Sequence, residues 1–171
     1  MTEIRDAAPA VRIRRHARGD EAAVRDLVVP IQADEFGIAI TYADQPDLAD
    51  VDGFYRRGDG DFWVAEVAGR IVGTIALVDI GGRRGALRKM FVARDFRGAA
   101  FGVARGLLDT LLAHAAARGF TEIWLGTTDR FLAAHRFYEK SGFARVAAAD
   151  LPETFPRMVQ DSVFYRRRLT D

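Results

Sequence analysis

The stretch of residues 90–102 contains the clearest pattern in this chain for binding a phosphate-bearing ligand. A strand-like run, residues 87–92, leads into a loop that reads FRGAAFG at residues 96–102, and a long amphipathic helix follows. A glycine-containing turn at a helix start leaves several backbone N–H groups unpaired and pointing in one direction, where the helix dipole favours negative charge. The loop is therefore predicted to hold a pyrophosphate.

Two motifs, in a fixed order along the chain, resemble those of a known family. The loop has neither the Lys-Ser or Lys-Thr pair of the nucleotide-hydrolase phosphate loop nor the GxGxxG spacing of dinucleotide-binding folds. Residues 97–102 instead resemble the RGxGxG form of the R/QxxGxG/A motif of the GNAT superfamily of N-acetyltransferases. Residues 137–143, FYEKSGF, resemble that superfamily's FYEKxGF segment. The resemblance implies transfer of an acetyl group from acetyl-CoA to a primary amine, and it extends over residues 62–73, 88–92 and 155–169.

The elements that must position these motifs alternate between strands and helices. Hydrophobic periodicity and turn residues predict seven strands, at residues 11–15, 61–67, 71–80, 86–92, 121–125, 143–147 and 162–169. Helix signals predict four helices, at residues 20–35, 46–55, 131–140 and between 101 and 119. This order indicates a mixed α/β fold. The resemblance implies the GNAT acyl-CoA N-acyltransferase fold, with a central, mostly antiparallel sheet.

Composition is consistent with one domain over residues 1–171. The hydrophobic content of 49% is enough for a full core, and the formal net charge of +1 gives no overall attraction to nucleic acid or membrane. Basic residues at 83–89 and 166–168 alternate with acidic segments and are interpreted as solvated. No run approaches the roughly 18 apolar residues of a membrane span, and no signal-peptide core is present. We therefore expect a cytoplasmic protein that binds neither nucleic acid nor membrane.

Missing residue types limit the chemistry further. The chain has no cysteine, which excludes disulfides, thiolate metal ligands and a cysteine nucleophile, and its three histidines have no metal-ligand spacing. The only serines, Ser141 and Ser162, have no evident histidine partner. Direct attack by the amine within a ternary complex is therefore expected, with no acyl-enzyme and no metal.

The resemblance implies an acetyl-CoA site in two parts. Backbone N–H groups of the loop would contact the pyrophosphate, to which Arg97 adds a charge-assisted contact, and the exposed strand edge before the loop would pair with the pantetheine arm. Ala100 stands where the family usually has glycine, and a methyl group directed inward would weaken binding. The expected site comprises Met90, Phe91, Val92, Arg97, Gly98, Ala99, Ala100, Phe101, Gly102 and Val103.

Tyr138 is the candidate general acid. A phenol with an ordinary pKa of about 10 is protonated at neutral pH and can donate to a leaving thiolate, and the family uses a tyrosine at the matching position. Many members also carry an asparagine at the position of Phe131 or near the end of the fifth strand, but this chain has no asparagine. The alternatives are Thr127, Thr128, Asp129 and loss of that contact.

Acidic side chains are the candidates both for the general base and for binding the acceptor. Glu66 and Glu35 are candidates to take the proton of the amine. Acidic residues between positions 34 and 50, among them Glu35, together with Tyr42, would suit a cationic amine through charge and cation–π contacts. The acceptor stays open between a small amine, an amino acid and a protein amino group. A non-catalytic acyl-CoA sensor, which would not need Tyr138, is the alternative function, and the resemblance leaves a homodimer open.

Overall fold

The computed structural model describes residues 10–98 and 100–169. The strands are β1 (Val11–Arg15), β2 (Asp61–Val67), β3 (Arg70–Asp79), β4 (Arg84–Val92), β5 (Glu122–Thr127), β6 (Ala144–Val146) and β7 (Val163–Arg168). The α-helices are α1 (Glu21–Pro30), α2 (Pro46–Ala49), α3 (Val51–Phe54), α4 (Val103–Ala117) and α5 (Leu132–Lys140). A π-helical turn, Ile31–Glu35, continues α1, and 3-10 turns lie at Arg94–Phe96 and Ala148–Asp150.

The strands form one sheet in the order β1-β2-β3-β4-β5-β7-β6. Neighbouring strands are antiparallel except for β4 and β5, which are parallel. The predicted mixed α/β fold with a seven-stranded, mostly antiparallel sheet is confirmed. Of the helices in the described part of the chain, none is long and apolar enough to cross a membrane.

The first predicted helix, residues 20–35, is α-helical only as far as Pro30. Proline has no N–H to donate to the preceding turn, and beyond it the chain widens into the π-helical turn. The Phe36 N–H closes this turn on the Ile31 carbonyl at 3.1 Å. The wider turn directs Glu35 and Phe36 toward the end of β4, where they become part of the site.

The predicted helix over residues 46–55 is wrong as a single element. Asp50 leaves helical geometry with a φ of −137°, and its carboxylate accepts a hydrogen bond from the Gly53 N–H at 3.0 Å. An aspartate that caps a helix start in this way ends one helix and begins the next. Two short helices, α2 and α3, therefore replace the predicted one.

Helices cover both faces of the sheet. The apolar stripe of α4 packs on β2, β3 and β4, where Leu107 and Val103 approach the backbone of Gly73 so closely that a Cβ there would lie 2.9 Å from each. The opposite face is covered by α1, α2 and α3, with Val24, Val28 and Leu48 fully buried. The central strands are thereby held from both sides.

An irregularity in β4 distinguishes it from the other strands. Phe91 pairs with Thr74 and Arg88 with Ala76, so that Lys89 and Met90 together stand opposite one residue of β3. Lys89 has a φ of +52°, which is rare for a residue other than glycine. This is a β-bulge, and it bends the second half of β4 away from β5, while the pairing with β3 continues.

Candidate active site

The bulge lies where β4 and β5 separate. The two strands pair only over Arg84–Ala86 and Glu122–Trp124, three residue pairs at one end. Beyond them, a cavity of about 740 Å³ opens between the end of β4, the end of β5, the start of α5 and the turn after α1. The backbone of β4 after Ala86 therefore has an edge without a strand partner on the β5 side, as the pantetheine hypothesis requires.

Residues along β4 divide the cavity into two ends. Val92 leads to Arg97 and Gly98 of the loop at one end, and Arg88 and Lys89 lie toward the other. A strand advances about 3.3 Å per residue, so these two ends are separated by roughly four residues of strand, about 13 Å. We call them the loop end and the basic end.

Tyr138 lies between the two ends. Its side chain is 8% exposed, lines the cavity, and directs its hydroxyl at the Met90 sulfur, 3.7 Å away. Phe143 and Tyr165 pack against its ring. Burial raises the pKa of Tyr138 well above its ordinary value of 10. The phenol therefore stays protonated over the whole range in which an amine loses its proton.

The loop end is built largely from backbone. Gly98 and Gly102 have φ of +103° and +64°, a conformation that glycine adopts without strain, and no atom lies within 4 Å of where their Cβ would be. Gly102 is the residue before α4, whose first N–H groups, starting with Val103, have no partner within the helix. Ala100 is exposed. Ala99, which the sequence also assigns to this site, lies outside the described residues.

Arg97 is held at the cavity by an ion pair. Its Nε donates to the Val92 carbonyl at 2.8 Å, and its two terminal nitrogens donate to the two carboxylate oxygens of Glu35 at 2.7 and 2.8 Å. This guanidinium lowers the pKa of Glu35. Glu35, which the sequence suggested as the general base or as a residue that binds the acceptor, therefore lies beside the loop at residues 96–102, with its charge already paired.

The structure does not bring Glu66, the other candidate base, or Tyr42, the candidate acceptor-binding residue, into the cavity. Glu66 lies on β2 beside the edge strand, where its carboxylate accepts from Arg14 at 2.9 Å. Tyr42 packs against the core on the α1 side, with the Arg25 guanidinium 5.7 Å from its ring centre. Neither lines the cavity around Tyr138. Met90, Phe91 and Val92, which the sequence assigns to the pantetheine arm, do line it.

Sequence reasoning missed the basic end. Lys89, interpreted as solvated, is instead buried: its Nζ donates to the Gln45 side-chain oxygen and lies 3.6 Å from an Asp47 carboxylate oxygen. Burial lowers its pKa to about 8. The same Asp47 oxygen accepts from the Tyr55 hydroxyl at 2.5 Å. The sequence signal was a lysine followed directly by the apolar run Met90–Val92, in a chain with only two lysines.

Asp161 was also missed. It lies in the connection before β7 and lines the cavity, the only carboxylate among the described residues to do so. One of its oxygens accepts from the Met158 N–H at 2.9 Å and lies close against Gly126, where a Cβ would be 2.6 Å from it. Burial raises the pKa of Asp161. Because this connection has no regular pattern, no sequence signal placed it beside β5.

Known proteins resemble this chain in sequence over most of the site. The acetyltransferase (GNAT) family model matches residues 25–143. An N-acetylaspartate synthetase of Danio rerio is 33% identical over 128 residues, which cover 72% of this chain and 44% of the relative. N-acetyltransferase family 8 member 2 of Rattus norvegicus is 32% identical, covering 59% and 46% respectively. The chain thus spans about half, or less, of the length of these curated relatives.

Solved structures show the same fold. A GNAT-family acetyltransferase from Staphylococcus aureus superposes with a TM-score of 0.89 at 34% identity, covering 94% of this chain and all of that one. An N-acetyltransferase from Thermoplasma acidophilum in complex with coenzyme A shares the fold at a TM-score of 0.70 and 15% identity, covering 93% and 99%. The family resemblance of the two sequence motifs is confirmed, and the chain belongs to the acetyltransferase (GNAT) family.

Proposed function

We propose that this protein transfers the acetyl group of acetyl-CoA to a primary amine within a ternary complex. The observation that supports this most is the placement of Tyr138, with its hydroxyl inside the cavity, beside the open edge of β4 and between the loop end and the basic end. Family membership supports acyl transfer to an amine. The name of the Danio rerio relative refers to N-acetylaspartate, an N-acetylated amino acid, so amino acids belong among the acceptors to test.

The loop end fits a coenzyme A pyrophosphate. Space is open around Gly98 and Gly102, the first N–H groups of α4 point out of the helix, and Arg97 offers a guanidinium at the cavity. The unpaired edge of β4, at Met90–Val92, can accept an extended chain as a strand would. Bound there, acetyl-CoA supplies a thioester whose acetyl group the amine attacks directly.

Tyr138 is proposed to protonate the leaving sulfur. Its hydroxyl already points at a sulfur atom, that of Met90, and has no stronger hydrogen-bond partner among the described residues. The buried phenol stays neutral, and a thiolate expelled into the same cavity is also removed from water, which raises its basicity, so the hydroxyl can donate its proton to that sulfur. The C–N bond forms, the C–S bond breaks, and the Tyr138 proton goes to sulfur.

Asp161 is proposed to take the proton of the attacking amine, directly or through water. It is the carboxylate that lines the cavity, whereas Glu66 lies outside it and Glu35 is paired with Arg97. A carboxyl whose pKa is raised by burial is a better proton acceptor than a solvated one. Solvent then returns Tyr138 and Asp161 to their starting protonation states.

The chain's two serines do not suggest an acyl-enzyme. Ser141 donates to the Phe137 carbonyl at 2.7 Å, and the Ser162 hydroxyl accepts from the Asp129 N–H at 3.2 Å. Neither side chain is hydrogen-bonded to a histidine among the described residues, and the sequence has no cysteine. A direct transfer is the simpler reaction for this site.

Melting with and without acetyl-CoA is the first test. If the dissociation constant is tens of micromolar, a twentyfold excess adds about 1.8 kcal/mol and raises the midpoint by roughly 4–7 °C, whereas ATP and NAD leave it unchanged. The protein is then incubated with acetyl-CoA and each of a panel of amines, and the coenzyme A released is measured with a thiol reagent. The protein itself gives no background because it has no cysteine. A rise in the melting midpoint with acetyl-CoA alone, without release of coenzyme A in the presence of any amine, would favour the sensor. An unchanged midpoint would contradict both functions.

A further inference from the structure

Resting on the proposed function, we propose that the acceptor amine carries a carboxylate, which Arg88 and Lys89 bind at the basic end of the cavity. This reverses the sequence expectation of a cationic acceptor. Four of the five acidic residues behind that expectation are already engaged: Glu35 with Arg97, Asp44 with Thr41, Asp47 with Tyr55 and Asp50 with the Gly53 N–H. The fifth, Asp34, does not line the cavity.

The bulge of β4 produces the basic end. In a regular strand, consecutive side chains point to opposite faces, and Leu87 accordingly packs into the core on the α4 side. After Arg88 the extra residue resets the alternation, so that Lys89 reaches Gln45 and Asp47 near α2 while Met90 turns to Tyr138. Two adjacent cations thereby line the cavity next to the residue that contacts the general acid.

Within residues 10–98 and 100–169, Arg88 forms no ion pair with a carboxylate. It is half-buried, and its one side-chain hydrogen bond among the described residues is to the Met158 sulfur at 3.3 Å. A guanidinium that is partly removed from water and forms no ion pair loses hydration with little compensation. An anion bound in the cavity would supply the missing partner, with the bidentate geometry that arginine offers to carboxylates.

Lys89 adds to this positive charge. Its nearest anion, Asp47, lies 3.6 Å away and also accepts the Tyr55 hydroxyl, so the lysine is only partly compensated. Arg130 lines the cavity as well and forms no ion pair within the described residues. Against these cations the cavity offers one carboxylate, Asp161. A purely cationic acceptor would meet like charge at the basic end, which disfavours binding.

Asp161 determines the orientation in which such an acceptor binds. It lines the cavity across from β4, and its pKa responds to the Arg88 charge although the two side chains form no ion pair. An acceptor with its carboxylate on Arg88 can then present its ammonium group to Asp161. An amino acid, or a short ω-amino acid, has both groups within one small molecule.

The test separates binding from turnover. Matched pairs of an amino acid and its decarboxylated amine, such as phenylalanine with phenethylamine and tyrosine with tyramine, are titrated calorimetrically into wild-type protein saturated with desulfo-coenzyme A. The anionic members glutamate and aspartate are included. Carboxylate-bearing members are expected to bind about tenfold to a hundredfold more tightly than their partners. No preference for them, including no binding by either member, overturns the inference.

Variants locate the carboxylate on Arg88. Arg88→Gln is expected to weaken binding of the carboxylate-bearing members about tenfold to a hundredfold and raise their KM with little change in kcat, while Arg88→Lys recovers part of the loss. Arg145→Gln, on the exposed face of β6, is the matched control. Retained stabilisation by acetyl-CoA shows that each variant is folded. An unchanged KM in Arg88→Gln contradicts the assignment.

The outcomes distinguish this inference from the proposed function. Turnover of amines with and without a carboxylate alike would uphold acetyl transfer and overturn the carboxylate site. Selective, Arg88-dependent binding without coenzyme A release from any acetyl-CoA reaction would uphold the carboxylate site and overturn acetyl transfer.

Discussion

The loop end and the basic end of the cavity are constructed in different ways. The loop end is made of backbone N–H groups, two glycines in left-handed geometry and one arginine, all within a single short stretch of chain. The basic end is made of side chains from a bulged strand, from α2 and from the connection before β7. A ligand held by backbone leaves a local sequence motif, whereas a ligand held by side chains from distant segments leaves none.

Tyr138, between the two ends, gives the largest expected effect. Tyr138→Phe should lower kcat by about a hundredfold or more while acetyl-CoA and acceptor binding stay within about twofold, because only proton donation is lost. Tyr165→Phe, which removes a neighbouring buried hydroxyl outside the cavity, is the control. Since the pKa of Tyr138 is raised, wild-type kcat should not fall between pH 8 and pH 10. Loss of affinity equal to the loss of rate would place Tyr138 in binding instead.

Asp161→Asn tests whether Asp161, at the basic end, accepts the proton of the attacking amine. We expect kcat/KM to fall about ten- to a hundredfold. In the wild type, a base must be deprotonated, so activity is present above the raised pKa of Asp161 and is lost as pH falls through it. The variant should lose that acid limb. Glu153→Gln, on an exposed carboxylate of the same connection, should keep it. An identical acid limb in Asp161→Asn would exclude this role.

Lys89→Met tests whether the buried lysine at the basic end lowers the free energy of unfolding. Its folded pKa of about 8 lies below its ordinary 10.5, so between these values the unfolded chain binds more protons and the free energy of unfolding rises with pH. We expect this rise to be about 2 kcal/mol larger in the wild type than in Lys89→Met. Denaturant unfolding at pH 8 and pH 10.5 measures it. Equal rises in both proteins would mean that Lys89 titrates as a solvated lysine.

The ion pair at the loop end gives the smallest expected effect. Arg97→Gln should weaken acetyl-CoA binding about tenfold, because a charge-assisted contact to the pyrophosphate is lost. Glu35→Gln should tighten it a few-fold, because Arg97 no longer has a competing carboxylate. Arg70→Gln, an exposed arginine paired with Asp95, is the control. Weaker binding in Glu35→Gln would show that Glu35 positions Arg97 and does not compete for it.

The sequence predicted the fold well, whereas its assignment of the loop at residues 96–102 to a pyrophosphate stays a prediction. The strand at 61–67 has the predicted bounds, and the stripe of α4 is buried as its periodicity indicates, because local patterns determine both. The predictions from the sequence failed where contacts between distant segments determine the local structure. Lys89 is buried only because a bulge and α2 meet there, and the helix over 46–55 is divided by the cap at Asp50.

The short pairing of β4 with β5 has a mechanical consequence. Three residue pairs join β1–β4 to β5–β7, so the sheet is two half-sheets that meet at a narrow hinge. Ligands that fill the cavity bridge the halves beyond this hinge, and they should slow amide hydrogen exchange at Gly85 and Ile123 more than in the central pairs of β2 and β3. Exchange rates at these two residues thus report how readily the pairing between the halves opens, and a substrate's fit is measurable without turnover.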